Sequence, residues 1–115
     1  MSKKRRDKDF LGDIEEAMNL VKIYTKGMTY KTFIVDRKTQ DAVVRNFEII
    51  VDASKNVTVS FKNDYPDVPW KKIAGMRDIL IHEYFGIDLK LAWEVLIKNI
   101  PDLKSEMIKI RKELK

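Results

Sequence analysis

The sequence predicts an all-α, antiparallel helical bundle of about four to five helices. Apolar residues recur at three- and four-residue spacings through most of the chain, and short breaks rich in Pro, Gly or Asp separate these segments. No two strand-like segments offer each other a pairing partner. At 115 residues, 44% of them hydrophobic, the chain has the length and apolar content of a single domain spanning residues 1–115.

Composition excludes several classes of function. The chain has no cysteine, which rules out disulfides, thiolate zinc sites and cysteine catalysis, and which suits a reducing compartment such as the cytoplasm. No apolar run approaches about 18 residues, so we expect no membrane span, and the basic N-terminus is not a secretory signal. The net charge of +5 is compatible with polyanion partners, although a solvated, lysine-rich surface is the favoured explanation of the charge alone.

The first helix is predicted from about Asp7, a suitable N-cap, to Lys26, with Gly27 ending it. Residues 29–35 form a connection with room for one helical turn. The apolar stripe of the first helix is Phe10, Ile14, Ala17, Met18, Val21 and Tyr24.

A second helix begins near Asp36, and the segment that follows it is ambiguous. Val57, Val59 and Phe61 alternate as in a strand, but a single unpaired strand is not stable. We therefore interpret residues 56–61 as a frayed continuation of the second helix. The predicted buried face of that helix is Ala42, Val43, Phe47, Ile50, Val51 and Ser54.

Two prolines and two aspartates break the chain at residues 63–69. A third helix is predicted from Trp70 to about Phe85, with Gly86 ending it. Asp88 caps a fourth helix, and Pro101 lies in the first turn of a last one. The predicted inward residues of these two helices are Leu89, Ala92, Trp93, Leu96, Ile97, Leu103, Met107, Ile110 and Leu114.

The third helix carries the residues best suited to chemistry. It holds the single histidine, His82, together with Arg77, Asp78 and Tyr84. At about 100° per residue, Asp78 and His82 can touch, whereas Arg77 and His82 point about 140° apart. One straight helix therefore cannot aim both at one phosphate, but a two-fold dimer that crosses two copies of this helix can build a common cleft.

These residue types suit RNA cleavage without a metal. A histidine can accept the proton of a ribose 2′-hydroxyl, and an arginine can stabilise the charge of a pentavalent phosphorus. Asp78 can orient either of them, and Tyr84 can donate a hydrogen bond or stack on a base. The structural alternative is a histidine held by an acidic neighbour, with Tyr84 serving only packing.

The wider segment WKKIAGMRDILIHEYFGIDLKLAW resembles the signature region of the HEPN superfamily, and within it the HepT-like ribonuclease toxins. The motif of that group is R-x4-H-x-Y, which falls on Arg77, His82 and Tyr84. Asp78 occupies the polar position after the arginine, which is more often Asn. The segments DRKTQDAVVRNFEII and YPDVPW, upstream of the motif, are also similar to the family, so the resemblance covers nearly the whole chain.

The resemblance implies a homodimeric helical bundle with the motif helices meeting at a composite cleft. It implies a metal-independent endoribonuclease with no cofactor, in which Arg77 and His82 are catalytic and Asp78 and Tyr84 support them. It also implies the toxin half of a toxin–antitoxin pair, silenced when a minimal nucleotidyltransferase antitoxin transfers AMP to Tyr84. Two alternatives remain: an accessory subunit that binds nucleotide or RNA without cutting, and a purely structural helical dimer.

Overall fold

Two long helices organise the fold in the computed structural model, which describes residues 6–81 and 88–114. Helix α1 (Asp7–Thr25) and helix α3 (Arg37–Asn56) make the most extensive contact between elements. Both carry an apolar stripe at helical spacing, and burying two such stripes against each other removes the most apolar surface from water. The residues that are fully or almost fully buried here are Leu11, Ile14, Ala17, Met18, Val21, Val43, Phe47 and Ile50.

The ends of α1 differ slightly from the prediction. Arg6, and not Asp7, is the N-cap, and its backbone N–H donates to the Asp9 carboxylate at 3.0 Å. At the other end Gly27 has φ of 77°, a left-handed conformation that a residue without Cβ adopts readily, so the predicted stop is confirmed. Tyr24, predicted inward, is 43% exposed in the last turn of α1.

A single helical turn, α2 (Tyr30–Phe33), fills the predicted connection, and Thr29 caps it. Asp36 caps α3 by accepting a hydrogen bond from the Thr39 backbone N–H at 3.0 Å. The buried Gln40 side chain then donates to the Phe33 carbonyl at 2.8 Å, which ties the short turn to the long helix.

Residues 59–64 form a separate helix, α4 (Val59–Asp64), so the prediction of a frayed continuation of the second helix is wrong. The break falls at Val57 and Thr58, both extended, and the Thr58 hydroxyl accepts a hydrogen bond from the Phe61 N–H at 3.2 Å. Thr58 is therefore the N-cap of a new helix, which the strand-like alternation of apolar residues did not predict.

The chain after residue 88 is one continuous helical run and not the two separate helices predicted. Helix α7 (Leu89–Glu94) passes through a π-turn (Val95–Asn99) into helix α8 (Ile100–Glu113). The wider turn has an Ile100 N–H to Val95 carbonyl bond, and it admits Pro101, which has no N–H to donate. It also shifts the helical register, so that Val95, Leu96 and Ile100 are buried while Ile97, predicted inward, is 57% exposed.

The all-α prediction is confirmed: the described part of the chain contains helices and connections and no strand. The predicted buried residues Leu96, Leu103, Met107 and Ile110 all lie in the core. Trp93 packs against Tyr30 and Phe33, with ring centroids 6.3 and 5.3 Å apart. Among the described helices, none combines the length and apolarity that a membrane crossing requires.

Candidate active site

The predicted third helix is divided in two at Met76. Helix α5 (Trp70–Gly75) is followed by helix α6 (Arg77–Ile81), and the Met76 N–H donates to the carbonyls of both Lys72 and Ile73. The predicted end at Phe85 lies outside the described residues.

The spacing of the apolar residues explains this division. Ile73, Met76 and Ile79 are all buried, at intervals of three residues. Such a row would drift by about 60° per step around a regular α-helix. The tighter turn at Met76, with an Ile79 N–H to Met76 carbonyl bond of 3.1 Å, reduces that drift and keeps the row against α3.

Arg77 and Asp78 lie on the opposite, exposed side of this segment. They open α6, and Asp78 lies in the first turn, where a carboxylate interacts favourably with the helix dipole. Within residues 6–81 and 88–114, neither side chain makes a hydrogen bond or an ion pair. The surface beside them is open, since a Cβ placed on Gly75 would meet no heavy atom within 4 Å.

An exposed arginine on a packed helix has a clear chemical use. The backbone of α6 is held against α3 by Ile79, so the starting point of the Arg77 side chain is fixed. The guanidinium offers five donors in a planar fork that matches phosphate oxygens. Arg77 can therefore bind an anionic ligand without breaking a hydrogen bond or an ion pair to any described residue.

Of the four predicted site residues, the structure describes two. Arg77 and Asp78 are adjacent and both exposed, as a shared site requires. His82 and Tyr84 lie outside the described residues, so the distance from His82 to Asp78 stays a prediction. Across the described ranges, no group of three His, Cys, Asp or Glu side chains is placed to hold a metal ion.

Asn46 is a buried polar residue that the sequence did not single out. This residue is buried on α3, the helix that supports α5 and α6, and its amide nitrogen donates to the Ala42 carbonyl at 2.8 Å. The side-chain oxygen of Asn46 has no hydrogen-bond partner among the described residues. The signal available in the sequence was an amide side chain among the apolar positions of α3, because a polar group buried there usually has a hydrogen-bond partner.

Comparison with known proteins identifies the family. Residues 14–110 match the family model described as HepT-like, ribonuclease HepT-like. The chain belongs to the HepT-like ribonuclease family. A protein of Thermococcus cleftensis named probable ribonuclease HepT is 46% identical over 109 residues, which are 95% of this chain and 99% of that protein.

Further relatives come from Methanocaldococcus jannaschii. One, named gamma-glutamylcyclotransferase and putative RNase, is 49% identical over 111 residues, so this chain spans 96% of its own length and half of that protein. Another, named putative RNase, is 44% identical over 105 residues, 91% of this chain and 87% of that protein. No solved structure matches the chain significantly.

The resemblance drawn from the sequence is therefore confirmed at the level of the HepT-like family. Arg77, Asp78, His82 and Tyr84 all fall within the residues that match the family model. The all-α bundle agrees with that assignment.

Proposed function

We propose that this protein is a metal-independent endoribonuclease and the toxin of a prokaryotic, cytoplasmic toxin–antitoxin pair. The observation that carries the proposal is the position of Arg77. It opens a packed helix, is exposed, has no partner among the described residues, and begins the R-x4-H-x-Y motif of a HepT-like chain. Relatives at 44–46% identity that bear ribonuclease names support the same chemistry.

The proposed reaction is a transesterification at one phosphodiester. His82 accepts the proton of a ribose 2′-hydroxyl, and the 2′-oxygen attacks the adjacent phosphorus. A new bond forms between the 2′-oxygen and phosphorus while the bond from phosphorus to the 5′-oxygen breaks, and a proton passes to the leaving 5′-oxygen. Arg77 stabilises the negative charge that develops on the non-bridging oxygens.

The site is proposed to be composite. On a regular helix, positions 77 and 82 diverge by about 140°, which supports a site shared between two protomers rather than one built within a single protomer. A homodimer that brings two α6 segments together supplies the arginine of one copy and the histidine of the other. Asp78 orients His82 or Arg77, and Tyr84 contacts the RNA.

Regulation by a nucleotidyltransferase antitoxin follows from the same motif. In this proposal the Tyr84 hydroxyl attacks the α-phosphorus of ATP, AMP is transferred and pyrophosphate leaves. The added anion, seven residues from Arg77 in the sequence, would block RNA sterically and by charge repulsion. The alternative function, a subunit that holds a nucleotidyltransferase partner and binds RNA or nucleotide without cutting, predicts binding with no product.

The test is RNA cleavage by purified protein in EDTA. Intact mass is measured first, because a nucleotide on Tyr84 would mask activity. We expect wild type to cut, His82→Ala to be inactive, and Arg37→Ala to remain active as a matched control at an exposed arginine on α3. Cleavage retained by His82→Ala would overturn the catalytic assignment, and binding without cleavage by unmodified wild type would favour the accessory subunit.

A further inference from the structure

A second surface feature lies away from Arg77 and Asp78. A groove of about 670 Å³ runs between the C-terminal half of α1 and the helical run formed by α7, the π-turn and α8. Its volume falls within the usual range of binding pockets. Its apolar lining includes Ile23 of α1 and Ile97, Pro101 and Ile108 of the helical run.

The rim of the groove exposes several large apolar side chains to solvent. Ile97, Pro101, Lys104 and Ile108 recur at intervals of four, three and four residues, so they form one stripe about 16 Å long. Ile97 is 57% exposed and Ile108 is 49% exposed. Across the groove Ile23 is 65% exposed. Exposed apolar side chains clustered along one groove in this way indicate an interaction surface.

The middle of this apolar groove is positively charged. Lys104 lies within this stripe and lines the groove together with Lys22 of α1, and the neighbouring Lys22 ammonium lowers the pKa of Lys104 from its ordinary value. Lys26 lines the same groove, and none of the described residues that line it is acidic. Two neighbouring ammonium groups without a carboxylate repel each other unless an anion is placed between them.

We infer that this groove binds an amphipathic helix of another protein, one that presents apolar side chains on both sides of a central carboxylate. A helix laid along the groove would cover Ile97 and Ile108 with its apolar face. Its Asp or Glu would lie between Lys22 and Lys104 and form charge-assisted hydrogen bonds with both. The inference is independent of RNA cleavage, since the groove includes neither Arg77 nor Asp78.

A second copy of this chain is the less suitable occupant. A two-fold contact places the same patch on both sides of the interface, which would bring two copies of the Lys22–Lys104 pair together. Four lysines facing each other across an apolar contact carry a like-charge penalty with no compensating carboxylate in the groove.

The experiment uses two synthetic helical peptides about four turns long. Both carry leucines at three- and four-residue spacings. One has glutamate at the centre of that face and the other has lysine. Binding to the full chain is measured by fluorescence anisotropy, and we expect the glutamate peptide to bind at least about tenfold tighter.

Charge reversal in the protein provides the decisive comparison. The Lys22→Glu/Lys104→Glu variant should reverse the preference and bind the lysine peptide more tightly. The Lys8→Glu/Lys55→Glu variant, at two exposed lysines outside the groove, should keep the wild-type preference. Absence of binding, equal binding of both peptides, or a preference unchanged by charge reversal would overturn the inference.

A further variant tests the groove without changing its charge, so that the inference can be tested even if the charge-reversed protein does not fold. Ile97→Ser/Ile108→Ser changes two exposed side chains, so the fold should persist by circular dichroism while affinity for the glutamate peptide falls by about tenfold or more. If this variant instead converts a dimer to a monomer in sedimentation, the groove is a contact between copies and the inference fails. RNA cleavage should be unchanged in every groove variant, which separates this result from the test of the active site.

Discussion

The Asp7 carboxylate accepts two hydrogen bonds from Thr58, one from its backbone N–H and one from its hydroxyl, each 2.8 Å long. The two residues are 51 positions apart, and the pair joins the first turn of α1 to the start of α4. The same Thr58 hydroxyl accepts from the Phe61 N–H. One side chain therefore caps a short helix and anchors it to the N-terminus of the long one.

Removal of this hydroxyl should loosen α4. We expect Thr58→Val, which keeps the side-chain shape, to lower the free energy of unfolding by about 1 kcal/mol and the thermal midpoint by about 4 °C. Thr58→Ser keeps the hydroxyl and should stay close to wild type in the same thermal melts. If Thr58→Ser destabilised the protein as much as Thr58→Val, keeping the hydroxyl would bring no benefit, and the hydrogen-bonding role would be contradicted.

This contact also shows where sequence reasoning reached its limit. The segment around Val57, Val59 and Phe61 was predicted as a frayed end of the second helix, because local alternation and the lack of a strand partner were the available signals. The partner that decides its conformation is Asp7, which no local pattern connects to Thr58. Asp7 was predicted as a cap for its own helix and instead serves another.

The long helices were predictable because their signals are local. Asp36 and Asp88 cap the helices that follow them, and Gly27 ends α1, as their chemistry indicates. The breaks inside helices were not predicted. The turn at Met76 and the π-turn before Pro101 depend on how the buried side chains of these helices pack against the neighbouring helices. The prediction that Arg77 and Asp78 lie on a helix is confirmed, their roles stay predictions, and the buried Asn46 was not singled out from the sequence.

Asp36 should contribute acid-sensitive stability. Hydrogen bonds from the Thr39 backbone N–H and then from the Thr39 hydroxyl hold the pKa of Asp36 below its ordinary value of 3.8. Because the folded pKa lies below the unfolded one, this stability is fully present above about pH 3.8 and is lost as the pH falls through the folded pKa.

The matched substitution is Asp36→Asn, which keeps a capping oxygen and cannot titrate. We expect wild type to have the higher thermal midpoint near neutral pH, and the difference to shrink below pH 3.8. Asp52→Asn, at an exposed aspartate on the same helix, controls for the loss of one negative charge. An advantage of wild type that grows as the pH falls would contradict the assignment.

Gly12 offers a stabilising substitution in the interior of α1. Gly12→Ala should raise stability by about 1 kcal/mol, because alanine loses less backbone entropy on forming a helix. The added Cβ would lie 3.3 Å from the Arg111 Nη2, the end of a flexible side chain that can move a few tenths of an ångström. The Arg111 Nε donates to the Glu15 carboxylate at 2.6 Å, and we expect that bond to survive.

Thermal melts of Gly12→Ala in wild type and in an Arg111→Ala background test this expectation. A slightly larger gain in the second background would reflect relief of the close approach. A loss of stability in both backgrounds would show that the helix, and not Arg111, rejects the methyl group.

Arg77→Lys should separate activity from stability. The side chain is exposed and makes no hydrogen bond or ion pair among the described residues, so its replacement should change the free energy of unfolding by less than about 0.5 kcal/mol. Lysine keeps the positive charge but loses the planar fork, so we expect kcat for RNA cleavage to fall about a hundredfold. Single-turnover cleavage in EDTA and thermal melts on the same preparation provide both measurements.

Arg37→Lys, a matched change at an exposed arginine on α3, should leave kcat unchanged. Full activity in Arg77→Lys would reduce the role of Arg77 to a simple positive charge, and a large fall in thermal midpoint would indicate a structural role instead.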